Sequence, residues 1–269
     1  MQILGVSTQL YVWSQMSDGV SKKLGDMLSE AASAGYEAVE MNLSPLLNPG
    51  GLYEVKSLLE RNFLKLSSLY SGGVFHESAA AETTVAEILE GARLAAQLGV
   101  SSITVNPSPK GGREKTDDEL KIQAEYLNKL GSGLQSHNMS LFVHNHTPEI
   151  VNNAREFRSY CDQTDPKFVN VCMDVHWVYR GGVDPFQLTQ EYGSRIGALH
   201  IRNSVDGVWT EELGDGDIDY RAYRGVLESI NYKGWLTVEL AYEEKTKITR
   251  SVVENARLSR GYIRQVFGV

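Results

Sequence analysis

Cysteine is nearly absent: only Cys161 and Cys172 occur in 269 residues. Two unpatterned cysteines exclude a disulfide framework and suit a reducing compartment. Cys172 lies inside an apolar run and reads as a small core residue. Long hydrophobic runs are missing as well, and none approaches the about 18 apolar residues of a membrane span. The opening MQILGVSTQLYVW lacks a basic segment ahead of a long apolar one, so it reads as a first strand rather than a secretory signal. The expected location is the cytoplasm, with no membrane partner. Positive charge is scarce: 26 Lys and Arg stand against 34 Asp and Glu, a net charge of -8. An acidic surface repels phosphate backbones, which argues against a nucleic-acid partner. The glycine fingerprint of dinucleotide binding does not follow the first strand, where the chain reads STQLYVW.

What remains is an ordinary globular composition, 42% apolar and 22% charged, long enough for one large core. Short apolar runs alternate with amphipathic stretches. The strand candidates are Ile3–Thr8, Ala38–Asn42, Leu64–Tyr70, Ser102–Asn106, Leu141–His146, Val169–His176, Ala198–Asn203 and Leu236–Leu240. The helical stretches are Ser21–Ala34, Leu52–Arg61, Thr83–Gln97, Asp117–Ser136, Ala154–Thr164, Pro185–Tyr192, Tyr220–Ile230 and Thr249–Val266. Strict alternation implies parallel strands with crossover helices. Eight such units predict an α/β fold, a (β/α)8 TIM barrel, as a single domain over residues 1–269. Gly35 and Gly234 fit helix-ending positions, and Thr83 fits a helix cap. The polar loops Pro107–Lys115 and Ser204–Asp217 leave the C-terminal ends of strands, where barrels place their working residues.

Four acids and histidines sit near the ends of separate strands: Glu149, Asp174, His200 and Glu239. One carboxylate or imidazole per strand tip, converging on one point, makes a divalent-metal site. Three carboxylates and one imidazole are a mostly hard set, suiting Mn²⁺ first, with Mg²⁺, Co²⁺ and Zn²⁺ as alternatives. Strand alternation puts His144 and His146 on one face, as it does Asp174 with His176, and His200 with Arg202. An aspartate ending an apolar strand is costly to bury without a partner; a metal is one such partner, and a helix cap is the competing reading. Glu40 shares a face with Asn42 and points to the same rim, as a substrate contact or a support for another residue. Trp177 offers an apolar wall or a core residue. His76, just after the third strand, also reaches towards the mouth.

The segments AGYEAVEMN (34–42), VHNHTPE (143–149), MDVHW (173–177), ALHIRN (198–203), GDGDIDY (214–220) and VEL (238–240) resemble the xylose isomerase-like barrels. These are the sugar phosphate isomerases/epimerases of the AP endonuclease family 2 superfamily. The resemblance implies one divalent ion held by a Glu–Asp–His–Glu set, carried here onto Asp174, His200 and Glu239, with Glu149 as the fourth ligand. The chain departs from the ketose epimerases at Val143, where they have an early glutamate. It departs again at His200-Ile201-Arg202-Asn203, where H-x-K-D is commoner. The first departure shifts proton transfer from a carboxylate pair towards His144, His146 or His176. Arg202, Glu40 and Trp177 are the expected substrate contacts.

The implied activity is metal-dependent isomerisation or epimerisation of a ketose or keto-sugar through an enediolate intermediate. The alternative is a lyase of the same family: an inosose-type dehydratase, or a C-glycoside deglycosidase catalytic subunit acting on 3-oxo-glycosides. The partners implied are a small sugar and further copies of the chain, plus a small second subunit for a deglycosidase. An apurinic-site endonuclease is disfavoured by six histidines and the acidic charge. A non-catalytic barrel is the remaining competitor.

Overall fold

Period-two strands alternate with period-3.6 helices along the chain, and the strands close on themselves. The computed structural model describes residues 1–17 and 23–269. Its barrel strands are β1 (Gln2–Gln9), β2 (Ala38–Asn42), β3 (Lys65–Gly73), β4 (Ser102–Pro107), β5 (Ser140–His144), β6 (Val169–Asp174) and β7 (Ile196–Ile201). A short antiparallel pair follows, β8 (Ser204–Val205) and β9 (Val208–Trp209), before the last barrel strand, β10 (Lys233–Val238). The barrel runs β1-β10-β7-β6-β5-β4-β3-β2, every neighbouring pair parallel, with helices between successive strands. This is the expected (β/α)8 barrel. Among the described residues, no helix is long and apolar enough to cross a membrane.

Register separates two faces. Ser7 pairs with Thr237, Thr237 with His200, and His200 with Asp174. Cys172, two residues before Asp174, pairs with His144, and Glu40 pairs with Gln9 and Ser68. Neighbours in parallel register share a face, so these residues form one polar layer inside the barrel. Inter-strand bonds confirm it: Ser7 Oγ meets Thr237 Oγ1 at 2.7 Å and Ser68 Oγ meets Thr104 Oγ1 at 2.8 Å. The alternate residues Val6, Val39, Leu69, Ile103, Val143, Met173, Leu199 and Val238 are buried in the apolar core. Burial of those side chains holds the wall together, each contributing about 1.5–3 kcal/mol.

Several boundaries differ from the sequence expectation. The first long helix is Leu24–Ser33, and the expected start at Ser21 lies outside the described residues. The helix expected from Thr83 begins at Ser78, so the Thr83 hydroxyl donates back to the Ala79 carbonyl at 3.5 Å instead of capping. Gly35 does follow a helix at φ 92°, but Gly234 lies inside β10. A Cβ at Gly234 would come within 2.1 Å of the Gly197 carbonyl, so close backbone approach explains that glycine. The helix expected from Ala154 begins at Thr147 and is broken by left-handed residues Asn152, Asn153 and Ala154. The loop Ser204–Asp217 contains the β8–β9 hairpin. Its turn residues Asp206 and Gly207 have φ 52° and 75°, the pair of left-handed positions that suits a twisted two-residue turn.

Candidate metal centre and active site

Four buried side chains, His144, Asp174, His200 and Glu239, bring one potential ligand atom each to within 4.8 Å of one another. They come from the ends of β5, β6 and β7 and from the residue after β10. His144 Nε2 lies 3.8 Å from Asp174 Oδ2 and 3.7 Å from Glu239 Oε2. His200 Nδ1 lies 2.7 Å from Glu239 Oε2. Metal–ligand bonds of about 2.1 Å place neighbouring ligands roughly 3–4 Å apart, so these separations suit one divalent ion after small adjustments. Both ring nitrogens of His144 are buried without a hydrogen-bond partner. A buried polar group in that state calls for an explanation, and an ion supplies one. Two imidazoles and two carboxylates suit Mn²⁺, Fe²⁺, Co²⁺ or Zn²⁺.

Asp174 caps the next helix with one oxygen and presents the other to the cluster. Its Oδ1 accepts from the Trp177 amide at 2.8 Å, capping the next helix, while Oδ2 faces the cluster. Asn145 fixes that strand end: it donates to the Asp174 carbonyl at 3.1 Å and accepts from the Asp174 amide at 3.0 Å. Arg202 Nη2 joins the two carboxylates, 2.9 Å from Asp174 Oδ2 and 3.1 Å from Glu239 Oε2. Its guanidinium lies over the rings of Trp177 and Trp209, at 5.2 and 4.7 Å from their centroids. Burial works against ionised Asp174 and Glu239, but Arg202 and the neighbouring imidazoles outweigh it and hold both below the usual carboxylate range. Burial also opposes charge on His144, yet Asp174 and Glu239 prevail and raise its pKa.

The expected fourth corner is different. β5 stops at His144, and Glu149 falls in the first turn of the helix that begins at Thr147. There Glu149 Oε2 accepts from the His146 amide at 2.7 Å, the reach-back of a capping box. Oε2 thus serves the helix entry, Oε1 is buried without a hydrogen-bond partner, and the four-residue cluster includes His144 instead. Burial, with Glu156 adding, pushes the Glu149 carboxyl up to about 7.

The other expected residues divide. His146 is half-buried, and its ring packs edge-on against His144 at 4.8 Å and Trp177 at 5.4 Å. Asn106 Nδ2 donates to the His144 carbonyl at 3.2 Å, leaving Asn106 Oδ1 to accept from His146 Nδ1 at 3.1 Å. That pair of bonds leaves His146 Nε2 as the free acceptor. Burial, then His144, lowers the His146 pKa to about 4, so the ring is neutral at pH 7. His176 has both nitrogens engaged. Trp209 Nε1 donates to its Nδ1 at 3.2 Å, and Nε2 meets Ser204 Oγ at 2.8 Å. The hairpin thus holds His176, and Asp217 holds the hairpin through the Asp206 and Gly207 amides at 3.0 and 2.8 Å. Glu40 is fully buried beside His200, with Oε1 2.8 Å from His200 Nε2. His76 is buried after β3, its Nδ1 without a partner. Asn106, Asn145 and Trp209 were not singled out by the sequence, although the hairpin carrying Trp209 has a Val-Asp-Gly-Val signature.

A closed eight-stranded barrel with a buried ligand cluster at one end of its strands defines the class: a barrel able to hold a divalent ion. The chain belongs to the xylose isomerase-like TIM-barrel family, whose model matches residues 28–264. An inosose dehydratase from Clostridium perfringens is 25% identical over 293 aligned positions, covering 97% of this chain and 96% of that protein. A D-allulose 3-epimerase from Methylomonas sp., solved with D-allulose, superposes with a TM-score of 0.80 at 17% identity, covering 99% of this chain and 98% of that one. A 3-keto-D-glucoside 4-epimerase from E. coli superposes at 0.76 and 15% identity, covering 97% and 99%.

Proposed function

We propose that the protein is a metal-dependent lyase that removes water from a keto-sugar or keto-cyclitol. The observation that carries this reading is a neutral imidazole beside the cluster but outside it, His146, whose Nδ1 is engaged by Asn106 so that Nε2 is left as the acceptor. His144, Asp174, His200 and Glu239 would hold the ion. Such an ion polarises a substrate carbonyl and makes the neighbouring C–H acidic.

The chain's own residues supply the rest. Arg202, backed by two tryptophans, orients a substrate oxygen. His146 Nε2 takes the α-proton, and Asn106 steadies the resulting imidazolium through Nδ1–H. The electron pair released from the C–H bond forms the new C=C bond and expels the β-hydroxyl. His146 then returns its proton to that departing oxygen, so water leaves and the base is restored. Trp177, Trp209 and the β8–β9 hairpin shield the site from solvent. The similarity to inosose dehydratases supports elimination.

Isomerisation or epimerisation is the second reading. Epimerisation needs a second proton carrier on the opposite face, and His144 is the group whose two nitrogens lack partners; isomerisation can use His146 alone. If His144 binds the ion, that second carrier is gone and epimerisation is disfavoured.

The deciding experiment incubates Mn²⁺-loaded protein with a keto-cyclitol and with 3-oxo-hexosides in deuterated water. Elimination gives an unsaturated ketone lighter by one water. Deuterium incorporation with a changed configuration or a moved carbonyl, and no loss of water, would overturn the lyase reading in favour of isomerisation or epimerisation.

A further inference from the structure

Glu40 Oε1 and His200 Nε2 are both buried, and neither has a properly directed hydrogen bond. They lie 2.8 Å apart. Two unsatisfied polar atoms at contact distance are a pair awaiting alignment, because each left alone carries its full desolvation cost. The approach is short but off the N–H direction. On the far side of the same ring, Nδ1 is engaged with Glu239 Oε2 at 2.7 Å. Releasing Nδ1 from that contact frees the ring to turn and complete the bond from Nε2.

We propose that Glu40 is the positioning residue of the centre: its carboxylate takes the Nε2–H of His200, so that the Nδ1 lone pair faces the cluster. The inference rests on the metal-centre reading above and extends it to a residue on the opposite side of the barrel. A carboxylate on the remote N–H fixes the tautomer and makes the ring a better donor.

Glu40 is built for that task. Its Oε2 accepts from Thr104 Oγ1 at 3.2 Å, and Thr104 Oγ1 meets Ser68 Oγ at 2.8 Å. Its backbone carbonyl accepts from the Leu10 amide at 3.1 Å. The residue is 1% exposed, and its Oε1 meets the edge of the His200 ring remote from Glu239. Glu40 therefore moves from the expected substrate contacts to the support of His200. Tyr70 holds the ring plane from another direction, stacked at 6.5 Å.

The test uses whole apo protein and Mn²⁺ alone, with affinity read by calorimetry. Glu40→Gln keeps an acceptor for Thr104 but loses the charge, and is expected to weaken Mn²⁺ binding roughly tenfold. Glu40→Ala removes the acceptor and approaches a hundredfold, the upper end for a residue behind a ligand. Nitrogen NMR of Zn²⁺-loaded protein supplies a readout that a packing role would not move. Wild type shows His200 protonated at Nε2 alone, and Glu40→Ala loses that single tautomer. Wild-type affinity and tautomer in folded Glu40→Gln and Glu40→Ala overturn the proposal while the centre stands. Wild-type protein that takes up no divalent ion overturns the centre and the proposal together.

Discussion

The two halves of the barrel interior differ in chemistry. From β1 to β4 the inward layer is mainly hydroxyls that find partners at home. Ser68 and Thr104 share a bond, and Ser102 Oγ donates to the Ser67 carbonyl at 3.0 Å. From β5 to β10 the same layer carries His144, Asp174, His200 and Glu239, all buried. Neutral hydroxyls pair locally and stay put. Buried charges persist only when an opposite charge or an ion answers them. Arg202 answers part of that charge. The unpartnered nitrogens of His144 leave that answer incomplete, which is consistent with one divalent ion in the charged half. Glu40 is the acid on the neutral side, and it reaches across to His200.

The largest expected effect breaks the charged half directly. Asp174→Asn and Glu239→Gln remove one ligand each and leave Arg202 short of a carboxylate. Both variants should lose stoichiometric divalent ion, measured by elemental analysis after dialysis, and with it all turnover. A variant with full ion content and activity would show that the cluster is only a buried ion network. A hydroxyl change in the neutral half, Ser102→Ala, which removes a bond to the Ser67 carbonyl, should leave ion content unchanged.

Next in size is His146→Gln. General-base contributions run to about 10²–10⁴ in rate. We expect a kcat loss in that range with ion content intact, which separates proton transfer from metal binding. His176→Gln should cost much less, since both of its nitrogens already serve the hairpin. If His176→Gln loses more kcat than His146→Gln, the roles are reversed. Asn106→Ala, which frees the His146 tautomer, should fall between the two.

These effects also measure what the sequence could carry. The barrel was legible because alternation of strand and helix is a long-range signal repeated over the whole chain. Asp174, His200 and Glu239 were legible because a charged residue ending an apolar strand is expensive and therefore informative. Strand ends were the weak point. Counting parity through Leu141–His146 placed His144 and His146 on one strand face, but β5 ends at His144. The signal was present: Thr147-Pro148-Glu149 puts proline in the first helical turn and glutamate at the third position, a helix start with its cap. The family resemblance and the strand-tip pattern point instead to a metal role for Glu149. The Asp206-Gly207 turn was likewise readable as a hairpin, whereas Asn145 and Asn106 act through backbone and ring contacts that no local pattern announces.

Glu149 gives the smallest effect and the sharpest test of that corner. Its folded-state pKa of about 7 lies above its ordinary value of 4.5. The native protein therefore keeps this proton to higher pH than the unfolded chain does. The stability conferred by the protonated carboxyl is complete below the unfolded pKa, falls as pH rises from there, and is gone above about 7. Glutamine retains the acceptor for the His146 amide and cannot ionise. Glu149→Gln should thus match wild type near pH 4 and exceed it in melting temperature at pH 8. The margin is on the order of 1–3 kcal/mol, or a few degrees for a chain of this size. Its ion content should be that of wild type, while His144→Ala should bind the ion more weakly. Loss of the ion in Glu149→Gln, with His144→Ala unaffected, would return Glu149 to the ligand set and free His144 as a second proton carrier, reopening epimerisation.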